Sequence, residues 1–168
     1  MYFGTILVVA ALVVYVMNKN GAKKEVKTAV QTSGVERTLA IIKPDTVAAG
    51  HVDSIINMIK DNNFTILREE KITLTRDQAE RFYGIHKGKP FFDELVGMMT
   101  SGPIVVLALE KVDAIKAWRE LMGNTNPAKA APGTIRNLYG TSIGSNATHG
   151  SDAPETAAQE LLFFFPDL

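Results

Sequence analysis

Arg37-Thr38-Leu39-Ala40-Ile41-Ile42-Lys43 is a short apolar run that Lys43-Pro44-Asp45 brings to an end. It reads as a strand buried on both faces. Downstream, Val52, Ile55, Ile56 and Ile59 recur at helical spacing up to the turn Asp61-Asn62-Asn63. Phe64, Ile66, Ile72 and Leu74 alternate as a second strand, interrupted by Arg68 and Glu70. Thr75 is placed to cap a helix running to about His86, Gly88-Lys89-Pro90 breaks it, and Phe91 to Met99 reads as another short helix. Pro103 to Leu109 is a third buried strand, and Ile115, Trp118, Leu121 and Met122 mark a helix ending at Gly123. Asn124 to Gly133 is a loop. A last strand and helix close the order, with Leu161 to Phe165 as a final apolar run. That order predicts an α+β fold, a ferredoxin-like split βαβ sandwich in which helices pack on a four-stranded antiparallel sheet.

Upstream of this run the composition changes. Residues 1–18 carry no charged side chain, and Lys19, Lys23, Lys24 and Lys27 follow. This length is at the lower limit for a spanning helix, and the lysines predict a membrane anchor that leaves the following domain in the cytoplasm. If Met17 is the true start, the protein is instead soluble and cytoplasmic. Residues 19–35 are polar and read as a flexible linker. The expected division is therefore 1–18 anchor, 19–35 linker and 36–168 catalytic or binding domain.

Composition narrows the chemistry. The formal net charge is zero over 168 residues, so nucleic acid is not expected as a partner. There are no cysteines, which removes thiolate nucleophiles, disulfides and cysteine-type zinc sites. Three histidines, at 51, 86 and 149, do not suggest a histidine-rich metal site. Neither common glycine-rich phosphate loop is present.

Two features point to phosphate. His149 lies just before Gly150-Ser151-Asp152, where Asp152, Pro154 and Glu155 read as a capped helix start. The free N–H groups of that start would favour a phosphate near the imidazole, unless the histidine is merely satisfied in a turn. Lys43 at a strand end, Arg119 in a helix, Arg136 after Pro132-Gly133-Thr134-Ile135, and Thr125 and Asn146 in loops would clamp a polyphosphate if they converged. Glu160, on the same helical face as Asp152 and Thr156, can lean back towards the helix start. His51 and His86 read as surface residues.

From Glu36 onward the chain resembles a nucleoside diphosphate kinase, of the bacterial rather than the animal type. The resemblance rests on six motifs in order: Arg37 to Asp45, Lys89-Pro90-Phe91-Phe92, Thr100-Ser101-Gly102-Pro103, Gly123-Asn124-Thr125-Asn126-Pro127, Pro132 to Arg136, and Asn146 to Asp152. It implies ping-pong transfer of the terminal phosphate of a nucleoside triphosphate to a nucleoside diphosphate, with His149 as the phosphohistidine. It implies that Lys43, Arg119, Thr125 and Arg136 hold phosphates and that Tyr83 lies beside His149 and Lys43. Asn146 would bind the sugar hydroxyl. Phe91 would stack on the base between Leu95 and Ile143, and Ser151 and Glu160 would orient the imidazole. Mg2+ would arrive on the nucleotide's phosphates rather than in a protein cage. Pro132 resembles the trimer contact of hexameric members, so a homo-oligomer is expected, a hexamer first and a tetramer second because the chain ends early. The competing expectation is a non-catalytic, membrane-tethered scaffold that keeps the fold. The presence of His149, Lys43, Arg119, Arg136, Asn146 and Glu160 counts against it.

Overall fold

The computed structural model describes Val13–Met17, Lys23–Lys27 and residues 34–168. It divides into a unit at Met1–Gly34 and a unit at Val35–Leu168. In the first, β1 (Val13–Met17) pairs antiparallel with β2 (Lys23–Lys27). Lys23–Lys27 lies within the stretch read as linker. The helical anchor expected over residues 1–18 falls largely outside the described residues, and its described part is strand. Val13, Val14, Tyr15 and Val16 have high strand propensity. No helix among the described residues is long and apolar enough to cross a membrane.

The second unit is a four-stranded antiparallel sheet with helices on both faces. Its strands are β3 (Val35–Ile42), β4 (Thr65–Ile72), β5 (Ile104–Val112) and β6 (Thr148–Gly150), in the order β4-β5-β3-β6. Alternation along β3 and β5 builds two cores. Ala40 and Ile42 join Val105, Leu107 and Leu109 beneath α2 (Val52–Asp61) and α5 (Ala114–Met122), where Ile55, Ile59, Trp118 and Met122 are buried. Leu39 and Ile41 join Ile104, Val106 and Ala108 on the opposite face. There they meet α3 (Arg76–Phe82), α4 (Phe92–Met99) and α7 (Pro154–Phe164) through Ala79, Val96, Met99 and Leu161. Each fully buried Leu or Ile contributes roughly 1.5–3 kcal/mol, so a one-residue slip of β3 would forfeit both cores.

Local chemistry sets the ends of the helices. The Thr75 hydroxyl accepts from the Gln78 N–H, and the Gln78 side chain accepts from the Thr75 N–H, closing a capping box on α3. Gly123 ends α5 at φ 83°, and a side chain there would strike Thr134. Two short helices, α1 (Pro44–Ala48) and α6 (Ile135–Tyr139), were not expected. The cap of α7 also differs from the sequence reading. Pro154 occupies the first turn and Ala153, not Asp152, is the extended residue before it, with φ −152°. Thr156 accepts from the Ala153 N–H at 3.0 Å and donates to Asp152 at 2.7 Å. Proline disfavours a helical conformation in the residue before it, so the boundary moves one residue on.

β6 carries the histidine motif beside β3, with His149 opposite Ile41. Trp118 Nε1 donates to the His149 carbonyl at 3.2 Å, and a Cβ on Gly150 would collide with the Trp118 ring and with Met122. Gly150 therefore lets the indole lie against the strand. Gly150→Ala is expected to lower unfolding stability by about 1–3 kcal/mol through overpacking, measured by urea titration. An unchanged midpoint would contradict that packing.

Candidate active site

β6 is an edge strand, so its residues end at the open rim of the sheet, next to the end of β3. Lys43, directly after β3, donates its N–H to the Ala147 carbonyl at 2.9 Å. Ala147 is buried at φ 67°, a left-handed conformation that costs a non-glycine residue about 1–2 kcal/mol. Asn146 and Thr148 thereby flank a sharp bend. A cavity of about 560 Å³ opens there, lined by residues of β6, α4, α6 and the loops around them.

The histidine is held from behind. Its Nε2 lies 3.1 Å from both carboxylate oxygens of Glu160 on α7. A carboxylate only accepts, so Nε2 carries the hydrogen and the Nδ1 lone pair is left free. Among the described residues Nδ1 has no protein partner. The fully buried Ser151 hydroxyl donates to Glu160 Oε2 at 2.7 Å and accepts from the Leu39 N–H at 3.2 Å. The relay thus ends on the backbone of β3. Phe82 and Tyr83 lie edge-on to the imidazole, with ring centres 5.4 and 5.9 Å away.

Two buried cations line the same cavity as this ring. Lys43 is 6% exposed, and its Nζ donates to Asn146 Oδ1 at 2.6 Å. Burial, with the Arg136 charge second, lowers its pKa to about 8, while Asp45 opposes the shift. Arg136 on α6 donates to the carbonyls of Gly123 at 3.0 Å and Thr148 at 3.1 Å. Burial, and then the charge of Arg119, lowers its pKa to about 10, so it stays cationic at neutral pH. Asn146 Nδ2 donates to the Thr125 carbonyl at 3.2 Å, tying the loop to the bend. Burial, and next the Glu160 charge, pushes the Tyr83 hydroxyl upward, so it remains a neutral donor.

Among the described residues, the buried side-chain atoms without a hydrogen-bond partner are Tyr83 Oη, Arg136 Nε and Thr148 Oγ1, and all three residues line this cavity. Each such atom typically costs about 1–3 kcal/mol. Donors left unpaired beside two buried cations suit an anionic, oxygen-rich ligand.

Of the residues singled out from sequence, Lys43, Tyr83, Phe91, Leu95, Thr125, Arg136, Ile143, Asn146 and His149 line the cavity. Glu160 and Ser151 stand behind the ring. Arg119 is exposed and does not line the cavity, although its charge reaches Arg136. His86, read as a surface residue, also lines it: the turn Gly84–His86 stacks its ring on Tyr83 at 19°. Burial, with the charges of Lys89 and His149, holds its pKa below the usual histidine value, and Asp152 partly opposes this. His51 is also half-buried, against Tyr139. Glu94 and Met98 were missed, although their spacing from Phe91 could have shown them.

Ser151→Ala removes both the acceptor of a buried N–H and a donor to Glu160. It is expected to destabilise the protein by about 1–3 kcal/mol in urea unfolding. A loss below the error of the titration would mean that the relay carries no stability.

The sequence pattern of the nucleoside diphosphate kinase family matches residues 36–168. A nucleoside diphosphate kinase of Syntrophotalea carbinolica is 57% identical over 134 residues, spanning 80% of this chain and 98% of that protein. One from Desulfotalea psychrophila is 52% identical over the same shares. Among solved structures, the Aquifex aeolicus nucleoside diphosphate kinase superposes with a TM-score of 0.77 at 43% identity, covering 79% of this chain and 96% of that one. The Halobacterium salinarum enzyme in complex with CDP gives 0.77 at 37% identity, covering 80% and 90%. With the match running unbroken from Glu36 to Leu168, the chain belongs to the nucleoside diphosphate kinase family.

Proposed function

We propose that this chain moves the terminal phosphate of a nucleoside triphosphate to a nucleoside diphosphate through a phosphohistidine on His149. The observation that carries the reading is the free Nδ1 of a histidine anchored at Nε2, in a cavity that two buried cations also line. The Nδ1 lone pair attacks the terminal phosphorus. The bond from phosphorus to the bridging oxygen breaks, and the diphosphate leaves with that electron pair. A terminal oxygen of a second diphosphate then attacks the phosphorus, and the N–P bond returns its electrons to the ring. The scheme is ping-pong through a covalent intermediate.

Lys43, Arg136 and Tyr83 would meet the oxygens on which charge develops. Arg119 and Thr125 would hold phosphates with them, Arg119 from an exposed position on α5 where its charge reaches Arg136. Glu160 would stabilise the cationic ring of the phosphohistidine, with Ser151 holding the carboxylate. Asn146 would take a sugar hydroxyl, and Phe91, Leu95 and Ile143 the base. Phe91 and Ile143 are 46% and 61% exposed, which suits apolar walls that wait for a planar ligand. The CDP bound to the Halobacterium relative supports a nucleotide here.

Magnesium would enter on the nucleotide, because the donors at the phosphate end are cationic and cannot ligate it. Bound there, it would neutralise charge between the phosphates. Residues 36–168 would form the catalytic domain of a homo-oligomer, a hexamer before a tetramer. Residues 1–18 would hold it at a membrane with the domain in the cytoplasm, a reading that rests on their apolar run and the lysines after it.

His149→Ala is expected to abolish transfer and to leave the circular dichroism spectrum unchanged. More than trace activity would remove His149 from the nucleophile role. The pH profile has a definite sign. The phosphate-binding form of Lys43 is the cation, which the free protein loses as pH rises through about 8. Accordingly kcat/KM is expected to fall above that pH. The limb in kcat should lie higher, since bound phosphate favours the cation. A kcat/KM profile flat to pH 10 would contradict this role. Light scattering of the full chain tests the oligomer, which a monomer would overturn. Full-length, uncleaved protein found wholly in the soluble fraction would overturn the anchor.

A further inference from the structure

Lys43 is the one buried lysine among the described residues. It sits between β3 and α1, and its side chain lines the cavity. Its Nζ donates to Asn146 Oδ1 at 2.6 Å, and among the described residues no carboxylate forms an ion pair with it. The titratable side chains that share the cavity are Tyr83, His86, Glu94, Arg136 and His149. Desolvation and a neighbouring cation, the two devices that make a lysine nucleophilic, therefore meet at this amine. With a pKa of about 8, roughly one-tenth of it is neutral at pH 7, against under ~0.1% for a lysine at 10.5. Phosphate transfer draws only on the cation and leaves this nucleophilic form unused.

A nucleophilic amine in an anion-binding cavity selects a carbonyl compound that carries its own phosphate. Arg136 stays cationic at neutral pH, and Tyr83 Oη, Arg136 Nε and Thr148 Oγ1 lack partners, so the cavity offers a phosphate a second cation and free donors. Its volume of about 560 Å³ suits a small ester, and Phe91, Leu95 and Ile143 give a flat ring apolar walls. A phosphate on Arg136 offsets one of the two causes that lower the Lys43 pKa, but burial, the larger cause, persists. The chain has no cysteine to divert an aldehyde.

We propose that Lys43 is a covalent site for small phosphorylated aldehydes, which bind it as an imine and so block phosphate transfer; this shares the anion-binding cavity with the kinase reading and needs no phosphohistidine. The Nζ lone pair attacks the carbonyl carbon, and the carbonyl oxygen takes a proton from the nitrogen to give a carbinolamine. That hydroxyl then leaves with the second nitrogen proton as water, and the nitrogen lone pair closes the C=N bond. Amine and aldehyde thus give imine and one water, with nothing oxidised or reduced. Water reverses the step, so the block is relieved when the free aldehyde is removed.

The test incubates the full chain with pyridoxal phosphate, traps the imine with borohydride, and maps the labelled lysines by peptide mass spectrometry. Pyridoxal, which lacks the phosphate, is the control, and the exposed Lys60 is the internal reference. The ratio of label on Lys43 to label on Lys60 should be about tenfold higher with pyridoxal phosphate than with pyridoxal, the scale of a lost charged hydrogen bond. ADP should protect Lys43 and leave Lys60 labelled as before. Labelling of Lys43 should speed up as pH rises through about 8, where the amine loses its proton. Label confined to exposed lysines, or an equal ratio with both aldehydes, overturns the proposal. Phosphoenzyme formed from ATP by a protein whose Lys43 stays unlabelled overturns the imine and leaves the kinase reading standing. Label on Lys43 in a protein that forms no phosphoenzyme supports the imine and overturns the kinase reading.

Discussion

The two hydrogen bonds that Glu160 accepts, from His149 Nε2 and from the Ser151 hydroxyl, fix the chemistry of this protein. They join three separate parts of the fold: α7 supplies the carboxylate, β6 the histidine, and β3 holds Ser151 through Leu39. A side chain that can only accept makes Nε2 the protonated nitrogen and turns the lone pair of Nδ1 outward. The position of the reactive atom thus depends on how α7 packs on the sheet. That packing rests on Ala157 and Leu161, which are buried in the helix on either side of Glu160.

The same corner is where the domain departs from ordinary folding preferences. Ala147 is left-handed without being glycine, Lys43 and Arg136 are both buried and the charge of Arg136 lowers the proton affinity of Lys43, and three polar atoms lack partners. Elsewhere caps and sheet pairing follow local rules, as at Thr75 and along β3. Such strain is tolerated because the two cores over-determine the backbone around it. An anionic ligand would relieve most of it, since it supplies acceptors for the donors and opposite charge for the cations.

The fold was legible where a period was strong. The two-sided run Arg37–Lys43 and the spacing of Ile55, Ile56 and Ile59 each permit one reading. The five-residue helices α1 and α6 are too short to show a period. The cap of α7 was misplaced because Asp152 looks like a cap, while the extended residue that Pro154 requires before it is Ala153. At the N-terminus an apolar run of valines fits a short strand as readily as part of a span, and only pairing distinguishes them. The site was legible as residue types and through resemblance, not as geometry. Lys43 and Asn146 are 103 residues apart in the chain and meet where β3 pairs antiparallel with β6, while Arg136 is tied to the same strand through the Thr148 carbonyl. His86 escaped notice because nothing in its sequence context reveals the turn that tucks its ring against Tyr83. Arg119, expected to hold phosphate, is exposed and does not line the cavity, although its charge reaches Arg136.

The central claim is that Glu160 occupies Nε2 and leaves Nδ1 to react. Phosphorus NMR of the isolated phosphoenzyme, formed from ATP and kept at alkaline pH, reports which nitrogen bears the phosphate. A single resonance of the Nδ1-linked isomer on His149 is expected. Phosphate attached at Nε2, or carried by any residue other than His149, would contradict the arrangement.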